Sequence, residues 1–298
     1  MVGQLKVTIL STMLVGGAKA GLGEWGFAAL VEADGRRLLI DTGAPGDTVL
    51  KNAADLGIDL STVTDLVITH NHADHTGGLL ALRKELRAKN PAALSRAHVA
   101  AGIFEPRLMD NGRDDNGLSP LKAPYEELGG TFIVHGAPAE LMPGVWITGP
   151  VPRVHPEHNW SGSLKVRTAS SGLAEDTVAE DAAILIATTR GTVVITGCGH
   201  AGIVNIIQYA AKVLQGASIH AIIGGFHLFS ATDEHLSWTA ARLREAGVAY
   251  VLGAHCTGIE AVFRIRDLAN LSRRTAVVGA VGASFSLERG IDPLALAR

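Results

Sequence analysis

His70, His72, Asp74 and His75 stand within six residues of one another in the stretch ITHNHADHTGG, residues 68–78. Neutral imidazole and carboxylate are the nitrogen and oxygen donors that zinc and similar ions take. His70 and His72 are two positions apart, so an extended segment presents both on one side. Asp74 and His75 follow where the strand should end and the chain turn into a helix, facing a second point close by. One short segment thus offers two ligands to each of two metal ions. Ions paired at about 3.5–4 Å can activate water and stabilise a leaving oxygen. Gly77 and Gly78 let the backbone turn tightly beneath such a site. A histidine cluster without metal is the blander reading. It suits a lone histidine better than four ligand-type side chains following an apolar strand.

Three more polar clusters follow apolar, strand-like runs: GCGH (197–200), GGFHL (224–228) and GAHCTG (253–258). In sheets covered by helices, ligand sites form at the carboxyl ends of strands, so all four clusters can meet at one edge. The chain has two cysteines, Cys198 and Cys256, each close to a histidine. That excludes a disulfide framework and points to metal chemistry, with a buried structural thiol as the alternative.

The elements that must position these clusters can be read from periodicity. LKVTIL (5–10) is a first strand. Apolar runs on either side of Asp34-Gly35 predict a hairpin over 25–43. Residues 47–58 predict a helix capped by Asp47, and 63–70 a buried strand with the histidine cluster at its end. A helix over 77–90 follows. Trp25 and Phe27 read as part of a buried strand, with GEWG (23–26) lining the pocket as the alternative. Residues 181–200 give two buried strands with a tight turn near Arg190-Gly191. Helices are expected over 201–215, 233–247 (capped by Asp233) and 259–270, with strands over 219–228 and 248–258. The run 275–287 closes the chain. Residues 91 to about 165 are rich in Pro, Gly, Asp and Asn; GTFIVHG (130–136) and GVWITGP (144–150) look like strands, and the segment as a whole reads as a loop-rich insertion that could overhang the site.

Bulk composition narrows the partners. With 298 residues the chain can bury a sizeable core. A net charge of −3 with scattered Lys and Arg, and 5% aromatic residues, argue against a nucleic-acid partner. No apolar run is long enough for a membrane span. VTILSTMLVGGAKA (7–20) has the apolar character of a leader but no basic segment ahead of it, and reads better as a strand. A cytoplasmic protein is expected, with an exported form whose leader was removed as the alternative.

HNHADH fits the HxHxDH signature of the metallo-β-lactamase superfamily, and Asp41 in LLIDTG matches that superfamily's first motif, whose role there is mainly structural. TGCGHAGIVN, GGFHL and AHCTG resemble the branch of metal-dependent hydrolases similar to dihydropterin-ribofuranosylaminobenzene phosphate synthase. The resemblance spans nearly the whole chain. It implies a single α/β domain over 1–298, an αββα sandwich of two mixed β-sheets with outer helices. It also implies two divalent metal ions, zinc first, with manganese or iron as alternatives. His70 and His72 match the ligands of the first metal. Asp74 and His75 match those of the second, which His255 would complete. Cys198 stands where most members carry a bridging aspartate. No GHTPG segment precedes DAAILI (181–186), so His200 is the candidate third ligand of the first metal and Asp181 its rival. For His200 the other reading is a helix-start histidine bonded to backbone.

The resemblance implies metal-assisted hydrolysis of a small-molecule substrate, in which a hydroxide held by the metals attacks a carbonyl or phosphorus centre. Asp74 is the expected catalytic residue, orienting that hydroxide. His227 and Arg153 are expected at the substrate. A phosphoester is the first candidate, and lactones and β-lactams use the same kind of centre. A ligand-binding or sensor protein with one structural metal is the rival class, and a di-iron redox protein a third. His155 and His158 read as solvated loop residues, and His135 and His220 as structural ones. His235 is expected on an exposed helix face. Oligomeric state is not readable from the sequence.

Overall fold

The computed structural model describes residues 1–18, 21–160, 164–168 and 172–297. Lys19 and Ala20 of the leader-like run, and residues 161–163 of the expected insertion, lie outside the described residues.

The chain opens with three consecutive strands before its first helix, and strands and helices mix from there on. The first half of the chain supplies β1 (Leu5–Ser11), β2 (Ala28–Ala33), β3 (Arg36–Ile40), β4 (Asp65–Ile68), β5 (Arg96–Ala100), β6 (Arg107–Leu108), β7 (Thr131–His135), β8 (Ala139–Met142) and β9 (Val145–Ile147). The second half adds β10 (Lys165–Thr168), β11 (Gly172–Glu175), β12 (Ala183–Thr188), β13 (Gly191–Thr196), β14 (Ile219–Gly224), β15 (Tyr250–Gly253), β16 (Ala276–Val278), β17 (Ser284–Ser286) and β18 (Gly290–Asp292). Seven α-helices are described: α1 (Thr48–Asp55), α2 (Ala73–Thr76), α3 (Leu79–Arg87), α4 (Lys122–Glu127), α5 (Ile203–Val213), α6 (Asp233–Glu245) and α7 (Ile259–Leu268).

Two large mixed sheets form. Their orders are β18-β17-β1-β2-β3-β4-β5-β7 and β16-β15-β14-β13-β12-β9-β8. Side chains alternate sides along each strand, and here both sides are apolar. Val7, Ile9, Val31, Ile40 and Val67 of the first sheet share one buried cluster with Ile184, Ile195, Ile223 and Leu252 of the second. Their neighbours Leu30, Leu39, Leu66 and Ile68 point the other way, against Val49, Leu79, Leu82 and Tyr125. Leu185, Val194, Ile222 and Val251 likewise meet Ile203, Ile206, Leu243 and Ile265 of α5, α6 and α7. This is the expected αββα sandwich.

The hairpin turn at Asp34-Gly35 has positive φ at both residues, 47° and 77°, as a two-residue turn between twisted strands requires. Several expectations change. Residues 91–165 are no mere insertion: β5 and β7 extend the first sheet, and β8 and β9 the second. The strand-like runs at 130–136 and 144–150 form β7 and β9 as expected, while the partly exposed edge positions of β8 blurred the apolar alternation that marks a strand. The closing run 275–287 splits, with β16 in one sheet and β17 in the other. Asp47 makes no capping hydrogen bond and instead pairs with Lys51. Thr232, not Asp233, caps α6, accepting from the His235 N–H. Phe27 is buried as expected, but Trp25 is 53% exposed.

At the amino ends of β4 and β5, Asp65 binds the Arg96 guanidinium and His98 Nε2, 3.0 Å away. Burial alone would raise its carboxyl, but the hydrogen bonds from His98, Arg96 and Thr64 outweigh this and hold it well below the carboxylate range. A depressed folded-state value adds stability above the ordinary value of 3.8, and that stability is lost as pH falls below it. Asp65→Asn therefore lowers unfolding free energy by about 1 kcal/mol at pH 7. In urea titrations the gap to the parent closes progressively as the pH drops below 4; a pH-independent gap would contradict this assignment.

Candidate metal centre

Five strand ends converge at one edge of the sandwich. Asp41 follows β3, Thr69 and His70 follow β4, and Cys198 and His200 follow β13. His227 lies beyond β14, and His255 beyond β15. The last three of these strands run parallel, which sends their carboxyl ends to the same side. The two sheets are stitched there: the Ala182 N–H donates to Thr69 O at 3.0 Å, and the His255 N–H to Thr12 Oγ1 at 3.0 Å.

Asp41 organises the histidine segment. It is wholly buried, with φ +54°. Its Oδ1 accepts from the Thr69 N–H at 2.8 Å, and its Oδ2 accepts from Thr69 Oγ1 and His75 Nδ1, each at 2.8 Å. The Thr69 hydroxyl hydrogen is engaged in donating to Asp41, so Thr69 Oγ1 accepts from His70 Nδ1 at 3.1 Å. The network thereby assigns a proton to Nδ1 of both rings, leaving the Nε2 lone pair of His70 free and making Nε2 of His75 the position a bound cation would take in exchange for a proton. Gly197 makes room for this hub: a Cβ there would lie 2.1 Å from Thr69 Oγ1 and 2.6 Å from Asp41 Oδ2.

The ligand atoms fall into compact groups. His70, His72 and His200 form one triad, and Asp74, His75 and His255 another, the atoms of each within 4.8 Å of one another. Cys198 groups with His70 and His75, and its Sγ is 3.1 Å from His75 Nε2. His70 Nε2 and His72 Nδ1 face each other at 3.1 Å. His200 Nδ1 bonds the Asn159 carbonyl, and its buried Nε2 has no hydrogen-bond partner. Neither ring nitrogen of buried His255 makes an aligned hydrogen bond, although its Nε2 lies 3.2 Å from Asp74 Oδ2. So the backbone-bonded reading of His200 is correct for one nitrogen, while the other is turned to the cluster. Buried imidazole nitrogens turned toward one another, beside a thiol and a carboxylate, fit divalent ions of the zinc type.

Electrostatics agrees. Burial, with repulsion from neighbouring imidazoles, pushes His70 and His200 well down, leaving neutral rings with free lone pairs. Burial takes His72 down to about 4, against the pull of Asp74. Burial would also lower His75, but the Asp74 and Asp41 carboxylates outweigh it and raise the ring to about 9. Burial disfavours the Asp74 anion, yet His75 and His255 hold it well below the carboxylate range. The centre thus retains positive charge beside its carboxylates, the role a bound cation would take over. Burial pushes the Cys198 thiol well up; binding a cation would reverse that.

The other expected residues are placed differently. Arg153 does not reach the cluster with a free guanidinium: its Nη2 donates to the carbonyls of Thr177, Val178 and His200. It steadies the His200 backbone. Asp181 accepts from the Ala201 N–H and belongs to none of the ligand groups. His227 groups with Cys198 and His200, half-buried, its Nδ1 without a hydrogen-bond partner. His158 is exposed near Glu175, and His155 packs on Trp238. His235 is half-buried beside Trp238, not on an exposed face.

Sequence reasoning missed the supports. Asn71, between the two first histidines, donates to buried Glu180. Glu180 in turn takes Arg107 Nη2 at 2.5 Å. Arg107 Nε lies 2.9 Å from Asp176, an ion contact out of line for a hydrogen bond. All three charged groups are buried. No spacing rule links residues so far apart; the only available signal was Asn71 sitting inside the ligand motif. A concavity of about 600 Å³ lies along Gly3–Lys6 and Ser284–Asp292 and includes none of the ligand residues.

A sequence profile described as the metallo-beta-lactamase superfamily matches residues 26–214. The chain is 30% identical over 241 residues to the 7,8-dihydropterin-6-methyl-4-(beta-D-ribofuranosyl)-aminobenzene-5'-phosphate synthase of Methanocaldococcus jannaschii, covering 79% of this chain and 81% of that one. Among solved structures it is similar to a metal-dependent hydrolase of the beta-lactamase superfamily, at a TM-score of 0.76 and 26% identity, over 94% of this chain and 98% of that one. A diphosphatase of the PhnP family shares the fold at a TM-score of 0.53 and 15% identity, over 96% and 98% of the two chains.

Two outcomes follow from the geometry. Asp41→Asn and Gly197→Ala each weaken zinc binding by about 10–100-fold in chelator competition, because both disturb the rings' orientation. Parent-like affinity in both folded variants would refute the hub. Arg107→Met leaves two buried carboxylates without their cation and lowers stability by about 3–5 kcal/mol in urea unfolding; a change under about 1 kcal/mol would show the pair to be dispensable.

Proposed function

The chain belongs to the metallo-β-lactamase superfamily of metal-dependent hydrolases, and from that premise we propose that it cleaves a small phosphoester at a centre for two divalent ions, zinc first among them. One observation carries the reading: two ligand triads, His70–His72–His200 and Asp74–His75–His255, with Cys198 grouped beside His70 and His75. On this reading the first triad would hold one ion and the second the other, with the Cys198 thiol beside both. Bound there, the ions would supply Lewis acidity and make a water nucleophilic at neutral pH. We further take the whole chain as one domain, since both sheets contribute to a common core.

The chain's own residues supply the rest. His70, His75, His200 and His255 are almost free of solvent, whereas His72, Asp74 and His227 are partly exposed and form the open side. Asp74 is the group suited to orient an attacking water, since its carboxylate stays charged and borders that side. Being held so far below the carboxylate range, it is a better hydrogen-bond acceptor than a proton store. His227, with Nδ1 unpartnered, is suited to donate to an anionic oxygen of the substrate. Arg153, committed to three carbonyls, positions His200 instead. The phosphoester choice is supported by the named product of the 30% identical relative, a 5'-phosphate. Among the described residues no helix is long and apolar enough to cross a membrane.

The test is a panel of alkyl phosphomonoesters, phosphodiesters, lactones and a β-lactam with zinc- and manganese-loaded protein. Turnover is expected with a phosphoester, and Asp74→Ala and His72→Ala each lose at least about a hundredfold of it while keeping the parent circular dichroism. Full turnover by a folded Asp74→Ala variant would refute the mechanism. Turnover of the lactone or β-lactam alone would move the substrate class.

A further inference from the structure

Beside the open side of the centre, two large rings stand in water. Trp25 is 53% exposed and Phe229 54%. Their ring centroids are 6.2 Å apart, edge to face at 89°. Trp25 lies 5.2 Å from the ring of His255. Phe229 lies 5.1 Å from the ring of His227, which is 4.5 Å from that of His200. Trp25 thus stands against the second ligand triad, and Phe229 against His227, the neighbour of the first.

Neither ring hangs on a loose loop. Beyond Trp25, the Phe27 N–H donates to Asp74 O at 3.1 Å. Gly26 is pressed so close that a Cβ would lie 2.6 Å from Ala44 N and 3.0 Å from Asp74 O. On the other side, the Leu228 and Phe229 N–H groups both donate to Cys256 O, at 3.1 and 3.2 Å. A Cβ on Gly258 would lie 2.9 Å from Phe229 Cα. The backbone of each ring is thus tied to the segment that carries a ligand, Asp74 in one case and His255 in the other.

Rings of this size usually repay their place by burial. These two are held fixed and left half in water, so folding gains little from them and a bound molecule would gain more. Aromatic groups associate through offset or edge-to-face contacts, which a fixed pair of rings can offer without reorganising. The neighbouring centre already provides for a polar reacting group. We propose that Trp25 and Phe229 form a subsite for a flat aromatic group of the substrate, so that the substrate is an aryl- or heteroaryl-bearing ester. This rests on the hydrolase reading above, and sharpens its phosphoester into one carrying an aromatic ring.

The test is calorimetric titration of zinc-loaded parent, Trp25→Ala, Phe229→Ala and Trp25→Phe, with zinc content measured alongside. The probes are 1-naphthylmethylphosphonate against methylphosphonate, and 1-naphthylacetate against acetate. The parent is expected to bind the aryl member of at least one pair about tenfold more tightly. The two alanine variants lose most of that ratio at parent zinc content, and Trp25→Phe keeps most of it. A ratio near one in the parent, no binding of either aryl probe, or a ratio unchanged in both alanine variants overturns the subsite. Failure of both phosphonates with the carboxylate ratio intact defeats the phosphoester reading and leaves the aromatic subsite standing. Self-association of the parent that Trp25→Ala abolishes, with the ratio unchanged, would assign the rings to a second copy of the chain and overturn the proposal.

Discussion

The carboxylate of Asp41 lies out of solvent between three donors, the Thr69 amide, the Thr69 hydroxyl and the His75 ring. A buried charge of this kind is tolerated only when hydrogen bonds replace its lost water. Here the same bonds that satisfy the carboxylate decide which nitrogen of His75, and through Thr69 of His70, is turned to the cluster. The centre's donor set therefore depends on one residue that belongs to neither ligand triad. The close fit of Gly197 against this hub transmits the constraint to the second sheet, since the next residue is Cys198. One carboxylate thus registers the two layers of the sandwich against each other at their functional edge.

A second layer of buried charge supports the first from a more distant part of the chain. Arg107, Glu180 and Asp176 are enclosed together, and Glu180 accepts from Asn71 between His70 and His72. Such a cluster adds little net stability, because desolvation offsets attraction. What it contributes here is geometry: it fixes the backbone from which two histidines project. Arg153 does comparable work for His200 through three carbonyls. Residues 91–165 are thus part of the scaffold, supplying Arg107 and four strands to the main sheets.

Much of this was legible in the sequence because the chemistry is local. Four ligand types in six residues, and strand-ending clusters at Cys198 and His255, are short-range signals. The buried strands announced themselves by β-branched runs, since both faces of each sheet are covered. What stayed hidden depends on distance along the chain. Nothing near Arg107 marks it as the partner of Glu180, 73 positions away. Arg153 looked like an anion binder because charge is visible in a sequence and the carbonyls that consume it are not. For Trp25 a buried strand and a pocket lining both stayed open, because composition does not reveal that its ring stands beside His255. The edge strand β8 was lost because its half-exposed positions break the apolar pattern, whereas the neighbouring runs of β7 and β9 were legible.

The central claim is that two ligand triads converge to hold two ions, and elemental analysis tests it most directly. Purified protein equilibrated with zinc and freed of excess metal is measured beside a His200→Ala and a His255→Ala variant, each checked for fold by circular dichroism. The account predicts two ions per chain in the parent and about one in each variant, because each substitution removes a ligand from a different triad. One ion or none in the parent, or equal content in parent and both variants, would contradict it.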